Sequence, residues 1–420
     1  MSKLTLEGEK DHRFYFLTKN PFPSVGVPED DPPFCINREE EVDIVYRSLV
    51  SSLRGFSTHL SMVAGYGNGK THLLKYIKKE IGKLLEKKSE KILVGYVSCS
   101  GTSFRDIYRG FMYDVGYDFF HNLSWQVLGY TASKLIERKK MQFTEEPKKV
   151  AESLNKDLLS IKRLVDDGTV ILSTLIKESR DEFLPIVKWQ DFLTAFLQLT
   201  MEETGLLAWR WLSGDPTYSE QRRDLGIVTP IDTDNRALQL FMCLRKILKI
   251  LGYDLVCILL DEFESIDMLI PPKRQALLNS IRHLIDLNPK GLSLIIACTP
   301  ETWTNIIREY HAFSERIFKE ITLRPLNEQN INQFVKEYLR NSRSISEEEL
   351  MRKLEKEKIC IEDPCLYPFT DGALKMILQI SQGNIRRTLS LCNIAIDTCS
   401  MMRNSLINED VLKKSLTDVF

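Results

Sequence analysis

The chain has 420 residues, of which 43% are hydrophobic and 27% are charged, and its formal net charge is −1. This length can hold two or three domains with buried cores, and the composition is that of a globular protein. The near-neutral total excludes a strongly basic nucleic-acid-binding chain, although it leaves room for a local basic groove.

The cysteines indicate a reducing compartment. Most of the nine lie inside apolar runs such as Val256-Cys257-Ile258, and no two form a Cys-x-x-Cys pair. Their odd number and the lack of an export signal favour the cytoplasm, and the missing pair argues against a zinc site. No apolar stretch approaches the ~20 residues of a membrane span, so we expect no membrane contact.

At the N-terminus, residues 1–33 are polar and proline-rich and predict an extended arm over the surface. An amphipathic helix is predicted to follow and to end near Leu53, with Asn37 as its N-cap and acidic residues in its first turn.

The next segment has the pattern of a phosphate-binding loop. A short apolar strand, predicted at 59–64, leads into Gly65-Tyr66-Gly67-Asn68-Gly69-Lys70-Thr71-His72, and a helix is predicted at 71–85. Glycines let successive backbone N–H groups point at phosphate oxygens, and the helix adds its positive N-terminal end. Lys70 is predicted to reach the β- and γ-phosphates of ATP, and the Thr71 hydroxyl to bind Mg²⁺.

This pattern departs from the usual one at a single position. Ala64 stands where the motif has its first glycine, and alanine fails there only if φ must be positive. We therefore treat the loop as intact. The alternative is a glycine-rich strand-to-helix turn with a solvated lysine.

A second strand is predicted at 92–99, and a long, mainly helical insertion at about 104–251. Its apolar residues recur at helical spacing, as in Phe192, Phe196 and Leu199. Its aromatic residues are interpreted as core or interface, with a base-stacking platform as the alternative; they include Trp189, Trp209, Trp211 and Tyr218.

A hydrophobic strand beginning at Leu255 ends in two acids, Asp261 and Glu262. Where a buried parallel strand ends beside a phosphate loop, one carboxylate can bind the Mg²⁺ shell and a second can polarise the attacking water. Asp261 is therefore the candidate metal ligand and Glu262 the candidate general base.

Three later residues are candidate contacts of the γ-phosphate or of a neighbouring subunit's nucleotide. Thr299 leaves a buried strand predicted at 292–298, and its alternative role is a plain strand-ending threonine before proline. Arg316 precedes the last predicted strand, at 320–323, and could act in trans or be an ordinary surface arginine, with Arg308 as a weaker rival. Arg386 follows Gly383-Asn384 at the start of a helix, where a guanidinium could swing toward the γ-phosphate or simply lie on the surface.

The order of these features resembles the AAA+ superfamily of P-loop ATPases, in particular its initiator-like branch with the archaeal origin-recognition proteins. The segment Ile36-Asn37-Arg38-Glu39-Glu40-Glu41 resembles the one that those proteins place before their first strand. Such a segment lies beside the nucleotide base in many of these ATPases, which makes Ile36 a candidate nucleotide contact.

A narrower resemblance is to the ATP-binding proteins of BREX phage-defence systems. It is carried by the phosphate loop together with four short segments: Trp211 to Asp215, Ile247 to Tyr253, Leu259 to Glu264 and Ile296 to Glu301.

The two resemblances imply an α/β fold: a three-layer P-loop sandwich with a parallel five-stranded sheet, a core at 34–326 and a helical lid at 327–420. They also imply ATP with Mg²⁺, and assembly into rings or spirals, usually on DNA. Because the chain ends at Phe420, just after the predicted lid, we expect no winged-helix domain, so duplex DNA would have to be contacted by the ATPase face or the insertion.

Three functions remain open at this point. The first is an ATP-hydrolysing, nucleotide-gated assembly factor in a DNA-related process such as phage defence. The second is a slow or non-catalytic ATP switch whose insertion binds a protein partner. The third is a replication-initiator-like ATPase, which the missing winged helix weakens.

Overall fold

The structure is a computed structural model, and it describes residues 12–24, 34–85, 91–99, 103–138 and 147–417. The strands in these ranges lie close to their predicted positions. They are β1 (Leu60–Val63), β2 (Lys91–Ser98), β3 (Tyr253–Asp261), β4 (Leu292–Cys298) and β5 (Lys319–Thr322).

Helices account for most of the remaining described chain. Before β3 they are α1 (Glu39–Leu53), α2 (Lys70–Leu85), α3 (Phe104–Val115), α4 (Tyr117–Glu137), α5 (Pro147–Lys156), α6 (Ile161–Asp166), α7 (Leu172–Val187), α8 (Gln190–Gln198), α9 (Gly205–Leu212), α10 (Ser219–Asp224) and α11 (Asp234–Ile250). After β3 they are α12 (Pro271–Leu287), α13 (Pro300–Glu309), α14 (His311–Ser314), α15 (Ile331–Arg340), α16 (Glu347–Lys356), α17 (Asp371–Ser381), α18 (Ile385–Met401) and α19 (Glu409–Thr417). Short 3₁₀ helices lie at His12–Tyr15, Leu158–Ser160, Phe263–Met268 and Pro364–Leu366.

The five strands form one sheet in the order β2-β3-β4-β1-β5. β2 pairs with β3, and β3 with β4, in parallel, and Ser98 lies opposite Asp261 in this register. Strands of parallel sheets are buried on both faces and so read as continuous hydrophobic runs. Every residue of β4 and all of β3 from Leu255 on are buried. The predicted α/β class with a parallel five-stranded sheet is confirmed.

The chain divides into two compact units. The first contains the described residues up to 45, residues 62–79 and those from 321 on, and the second contains 46–61 and the described residues of 80–320. These units do not follow the predicted limits at 33/34 and 326/327, because the phosphate loop falls in the same unit as the C-terminal helices.

The first unit has its own hydrophobic cluster, built mainly from α15 to α19 and here called the lid cluster. Three N-terminal side chains complete it, since Tyr15, Leu17 and Phe22 are at most 2% exposed within it. The prediction of an extended surface arm is therefore wrong for residues 12–24. The rest of that predicted arm lies outside the described residues.

Backbone hydrogen bonds fix this N-terminal segment to the lid. The Thr18 N–H donates to the Ser342 carbonyl at 2.8 Å, and the Ser344 N–H donates to the Phe16 carbonyl at 2.9 Å. The Tyr15 hydroxyl donates to the carbonyl of Asn404 at 2.7 Å. The segment is thus an integral part of the first unit.

The first helix begins later than expected. α1 starts at Glu39, and the Val42 N–H donates to the Arg38 carbonyl at 2.9 Å, so the N-cap position falls on Arg38. Asn37 has a φ of +55°, and its side-chain amide donates to the Asn330 carbonyl at 3.2 Å. The predicted N-cap role of Asn37 is therefore wrong, because its side chain holds the start of α15.

In the second unit, helices α3 to α11 occupy the position of the predicted insertion, and its tryptophans are packed. Trp211 is fully buried, Trp209 is 7% exposed, and Trp189 stacks edge-on against Trp211 at 5.8 Å between ring centroids. Tyr218, in contrast, is 76% exposed. The tryptophans fit the core part of the interpretation, and for the exposed Tyr218 the interface and the base-stacking platform both stay predictions.

His59, just before β1 in the second unit, is a buried neutral histidine. It is 2% exposed, and its Nδ1 accepts the N–H of Leu294 at 3.2 Å. Its Nε2 has no hydrogen-bond partner within the described ranges. Burial lowers its pKa to about 4.

Candidate functional site

The phosphate loop, Ala64–Gly69, joins β1 to α2 in the first unit. Gly67 and Gly69 have φ values of +75° and +86°, a region that costs other residues strain. Ala64 is not among the residues with positive φ. The substitution at the first motif position is therefore compatible with the loop.

The loop leaves backbone donors unused. Asn68 N–H makes a long bond of 3.4 Å to the Gly65 carbonyl, whereas the N–H groups of Gly67 and Gly69 donate to no group in the described part of the chain. The buried side-chain oxygen of Asn68 also has no hydrogen-bond partner among the described residues. Gly67 and Gly69 are half-buried, so their N–H groups are available to an acceptor such as a phosphate oxygen.

Lys70 lies against the start of this loop. It is 8% exposed, its ammonium donates to the Ala64 carbonyl at 2.8 Å, and Nζ lies 5.4 Å from the centroid of the Tyr66 ring. Tyr66 itself is 70% exposed. A cation, two unused N–H groups and the start of a 16-residue helix therefore meet at one loop, and this set fits a phosphate group.

The two residues after Lys70 differ in their use. The Thr71 hydroxyl makes no hydrogen bond to any described residue, which leaves it available to a metal ion. The ring Nε2 of His72 lies 2.8 Å from the Phe34 carbonyl, and burial lowers the pKa of His72. The neutral ring donates this bond, so His72 holds the segment before α1 and its predicted nucleotide contact stays a prediction.

Residues Gly383–Arg386, here called the cap segment, lie directly on the phosphate loop within the first unit. The Asn384 side-chain amide donates to the Tyr66 carbonyl at 2.6 Å, and the Arg386 N–H donates to the Gly67 carbonyl at 3.0 Å. The Arg386 side chain is exposed, and its guanidinium has no hydrogen bond or ion pair within the described ranges. The structure thus places the backbone of Arg386 beside the loop, and contact of its guanidinium with a γ-phosphate stays a prediction.

Ile36, the predicted contact of the nucleotide base, is half-buried and packs against the lid cluster. The neighbouring Arg38 is 8% exposed and donates to the Arg324 carbonyl at 2.7 Å. The segment before α1 is therefore fixed to the lid, and contact with a base stays a prediction.

In the second unit, the end of β3 presents Asp261, which is 1% exposed. The Tyr96 hydroxyl donates to its Oδ2 at 2.7 Å, and the Glu262 N–H donates to its Oδ1 at 2.9 Å. Burial and the negative charge of Asp261 raise the pKa of Tyr96, so this hydroxyl stays protonated. A carboxylate has lone pairs beyond these two bonds, and oxygen ligands suit Mg²⁺.

Glu262 follows in a left-handed conformation, with a φ of +54°. Non-glycine residues in this region are often found at functional sites. Its exposed carboxylate accepts the Ser98 hydroxyl at 2.6 Å. Sequence reasoning missed both Ser98 and Tyr96. The signal that could have found them is their place at the end of β2, the strand paired with β3.

The hydroxyl of Thr299 is committed to its own helix. Thr299 is 6% exposed and is the N-cap of α13, where its Oγ1 accepts the Thr302 N–H at 3.3 Å. The Thr302 hydroxyl lies 2.9 Å from this oxygen and donates to Asp267 at 2.6 Å. This arrangement favours the alternative reading of Thr299 as a strand-ending threonine before proline.

Arg316 is bound to a carboxylate of its own unit. Its Nε and Nη2 donate to the two oxygens of Asp286 at 2.8 and 3.1 Å, and its Nη1 donates to the Ala312 carbonyl at 2.5 Å. These bonds lower the pKa of Asp286 and raise that of Arg316. The rival Arg308 pairs with Glu309 at 2.9 Å. A role in trans stays a prediction for either arginine.

No helix in the described ranges combines the length and apolar character needed to cross a bilayer. No group of three or more His, Cys, Asp or Glu side chains in the same ranges is placed to hold a metal ion.

Comparison with curated protein sequences gives no significant match. Among solved structures, the chain is similar to the Aeropyrum pernix ORC1 protein in complex with DNA, with 12% identity, a TM-score of 0.47, and coverage of 94% of this chain and 68% of that one. For the A. pernix ORC2 protein in ADPNP–ADP complexes the identity is 13%, the TM-score 0.46, and the coverage 95% and 72%. For Drosophila ORC bound to DNA the identity is 12%, the TM-score 0.45, and the coverage 100% of this chain and 70% of that one.

A family model described as BREX system ATP-binding protein BrxC/D matches residues 197–352. This range includes Asp261, Glu262, Thr299 and Arg316, and it excludes the phosphate loop and Arg386. The chain thus resembles the BREX ATP-binding proteins over this range, and this resemblance predicted from the sequence is confirmed.

Proposed function

We propose that this protein is an ATPase that binds ATP with Mg²⁺ at the phosphate loop and uses its nucleotide state to control assembly with copies of itself and with DNA. The observation that carries the proposal is the loop: Gly67 and Gly69 have unused N–H groups, and Lys70 begins a helix beside them. The match to the BREX family supports a role in phage defence.

The chemistry asked of these residues is mainly positioning and charge neutralisation, as in other phosphoryl transfers. Lys70 and the glycine N–H groups hold the phosphates, and Arg386 supplies an exposed cation next to the loop. Thr71 in the first unit and Asp261 in the second are each proposed as an oxygen ligand for Mg²⁺. Mg²⁺ held by these side chains would help to neutralise the negative charge of the phosphates.

Glu262 is assigned to the attacking water. Its carboxylate is exposed, and its one hydrogen bond to a described residue is from the Ser98 hydroxyl, which leaves lone pairs for a water molecule. The assignment predicts that Glu262→Gln keeps nucleotide binding and loses turnover. An unchanged ATPase rate in this variant would remove Glu262 from the role.

A second candidate function is an ATP switch with little or no turnover, whose output is partner binding through α3–α11. It is favoured by one observation: three predicted catalytic groups are engaged within their own unit. Glu262 accepts a bond from Ser98, Asp286 binds Arg316, and the Thr299 hydroxyl caps α13.

Steady-state ATP turnover, with and without duplex DNA, separates the two functions. The first predicts turnover that DNA stimulates, and the second predicts binding without turnover. Sizing of the Glu262→Gln protein with ATP, with and without DNA, tests assembly. Binding to duplex DNA at two salt concentrations tests the initiator-like role, since phosphate contacts weaken as salt rises.

A further inference from the structure

Two successive carbonyls of the phosphate loop are held by the cap segment. The Tyr66 carbonyl accepts the side-chain amide of Asn384 at 2.6 Å, and the Gly67 carbonyl accepts the Arg386 N–H at 3.0 Å. All of these residues belong to the first unit. The loop is therefore held from outside at the peptides that precede Gly67 and Asn68.

The direction of these carbonyls sets the direction of the phosphate-binding donors. In a planar trans peptide, the carbonyl of one residue and the N–H of the next point in opposite directions. A fixed Tyr66 carbonyl therefore turns the unused Gly67 N–H away from the cap segment. Glycine peptides rotate with little steric resistance, so without such a tie this N–H would lose its direction and ordering it would cost entropy.

The cap segment is itself rigidly placed. The Leu326 N–H donates to the Gly383 carbonyl at 2.8 Å, and a Cβ on Gly383 would lie 2.1 Å from the Leu326 carbonyl oxygen. The side-chain oxygen of Asn384 accepts the Arg387 N–H at 3.1 Å and so caps the 17-residue helix α18. Asn384 thus uses one end of its amide for the helix and the other for the loop.

We propose that Asn384 is a positioning residue that preorganises the phosphate loop for a nucleoside di- or triphosphate without touching it. The proposal rests on the proposed nucleotide binding at this loop. Asn384 acts through the loop, so its loss weakens ADP and ATP binding by similar factors. Arg386, if it meets the γ-phosphate, affects ATP more than ADP.

The test compares Asn384→Ser with Asn384→Ala. Serine is a good helix N-cap and adds no charge, but its shorter side chain cannot reach the Tyr66 carbonyl, whereas alanine loses both functions. One hydrogen bond of ordinary net strength corresponds to about 2- to 10-fold in affinity. We expect both variants to bind ADP and ATP more weakly by this factor, as measured by titration with fluorescent nucleotides.

A second measurement needs no nucleotide. Hydrogen–deuterium exchange of the nucleotide-free protein is followed in peptides covering 64–73 and 384–388. Because Asn384→Ser loses the hydrogen bond to the Tyr66 carbonyl, we expect these peptides to exchange about 2- to 10-fold faster than in wild type. If the serine variant does not fold, Asn384→Asp, which keeps the size and the capping oxygen, takes its place in this measurement.

The outcomes separate the two proposals. Wild-type affinity in the serine variant, or a loss in the alanine variant alone, would reduce Asn384 to a helix cap and overturn the inference, as would unchanged exchange. A loss for ATP without a loss for ADP would also contradict it. A wild-type protein that binds neither nucleotide overturns the proposed function, while the exchange experiment still decides whether Asn384 holds the loop.

Discussion

A methyl group added at Gly67 should damage the proposed site in two ways. The φ of +75° at Gly67 costs an alanine about 1–2 kcal/mol of strain. An added Cβ would also lie 2.6 Å from the Asn384 side-chain oxygen and 3.0 Å from the Arg386 Cβ, so the cap segment would have to move. The strain alone corresponds to about a 5- to 30-fold loss of nucleotide affinity if the loop relaxes to a negative φ.

Gly82→Ala is the matched control. Gly82 lies in α2, has no positive φ, and a Cβ there would meet nothing within 4 Å. Alanine in a helix is more favourable than glycine by about 0.5–1 kcal/mol, so this variant should bind nucleotide normally and melt at the same or a higher temperature. The assay is equilibrium binding of ADP and ATP with thermal melting of both variants. Wild-type affinity in Gly67→Ala would refute the reasoning about the loop.

Three further predictions test separate parts of the account. Arg386→Ala should slow ATP turnover by about 10- to 100-fold, which corresponds to the loss of one hydrogen bond to a charged group. Arg387→Ala, on the same exposed turn, should leave the rate unchanged. Equal effects of the two substitutions would contradict the proposed contact between Arg386 and the phosphates. Tyr15→Ala should lower the free energy of unfolding, measured with urea, by about 3–5 kcal/mol, because Tyr15 is fully buried. Tyr15→Phe loses only the hydrogen bond to Asn404 and should lower it by about 1 kcal/mol. A loss of less than about 1 kcal/mol in the alanine variant would contradict the burial of residues 12–24. The pKa of His59 is about 4 in the folded protein and about 6.5 when unfolded, so the folded state keeps its full stability above pH 6.5 and loses part of it as the pH falls to 4. Over this window the free energy of unfolding of wild type should fall by about 3 kcal/mol relative to that of His59→Gln. A difference between the two proteins that stays constant with pH would contradict this prediction.

The strands and the phosphate loop could be predicted because their signals are local. β4 is an apolar run interrupted only by Ser293, with Gly291 before it and Thr299-Pro300 after it, and the strand β3 leads into two acids. The glycine spacing before Lys70 has few other structural explanations. These elements therefore lie close to where the residue pattern placed them.

The rest depended on partners far away in the sequence. Nothing near Tyr15 reveals that its hydroxyl bonds to Asn404, 389 positions later, so the sequence alone predicts a surface arm at residues 12–24. The bond from Ser98 to Glu262 follows from the register of β2 on β3, which one sequence does not specify. The hydrogen bond from Asn384 to the Tyr66 carbonyl likewise depends on where α18 packs, which the local sequence does not specify.

The Thr299 hydroxyl has a local use that competes with the predicted contact to a γ-phosphate. A threonine that precedes a proline at a helix start is a natural N-cap, and here it caps α13. Sensing of a γ-phosphate by Thr299 would require this bond to exchange for one to the nucleotide. If Thr299 acts only as a helix cap, Thr299→Ser, which keeps a capping hydroxyl, should be more stable than Thr299→Ala.

The central claim is that the phosphate loop binds ATP, and equilibrium binding of Mg²⁺-ATP to Lys70→Ala tests it most directly. Lys273→Ala, at an exposed position at the start of α12, is the control for loss of a lysine. The account predicts saturable binding in wild type and in Lys273→Ala, and none in Lys70→Ala. Equal binding in all three proteins, or no binding in wild type, would contradict it.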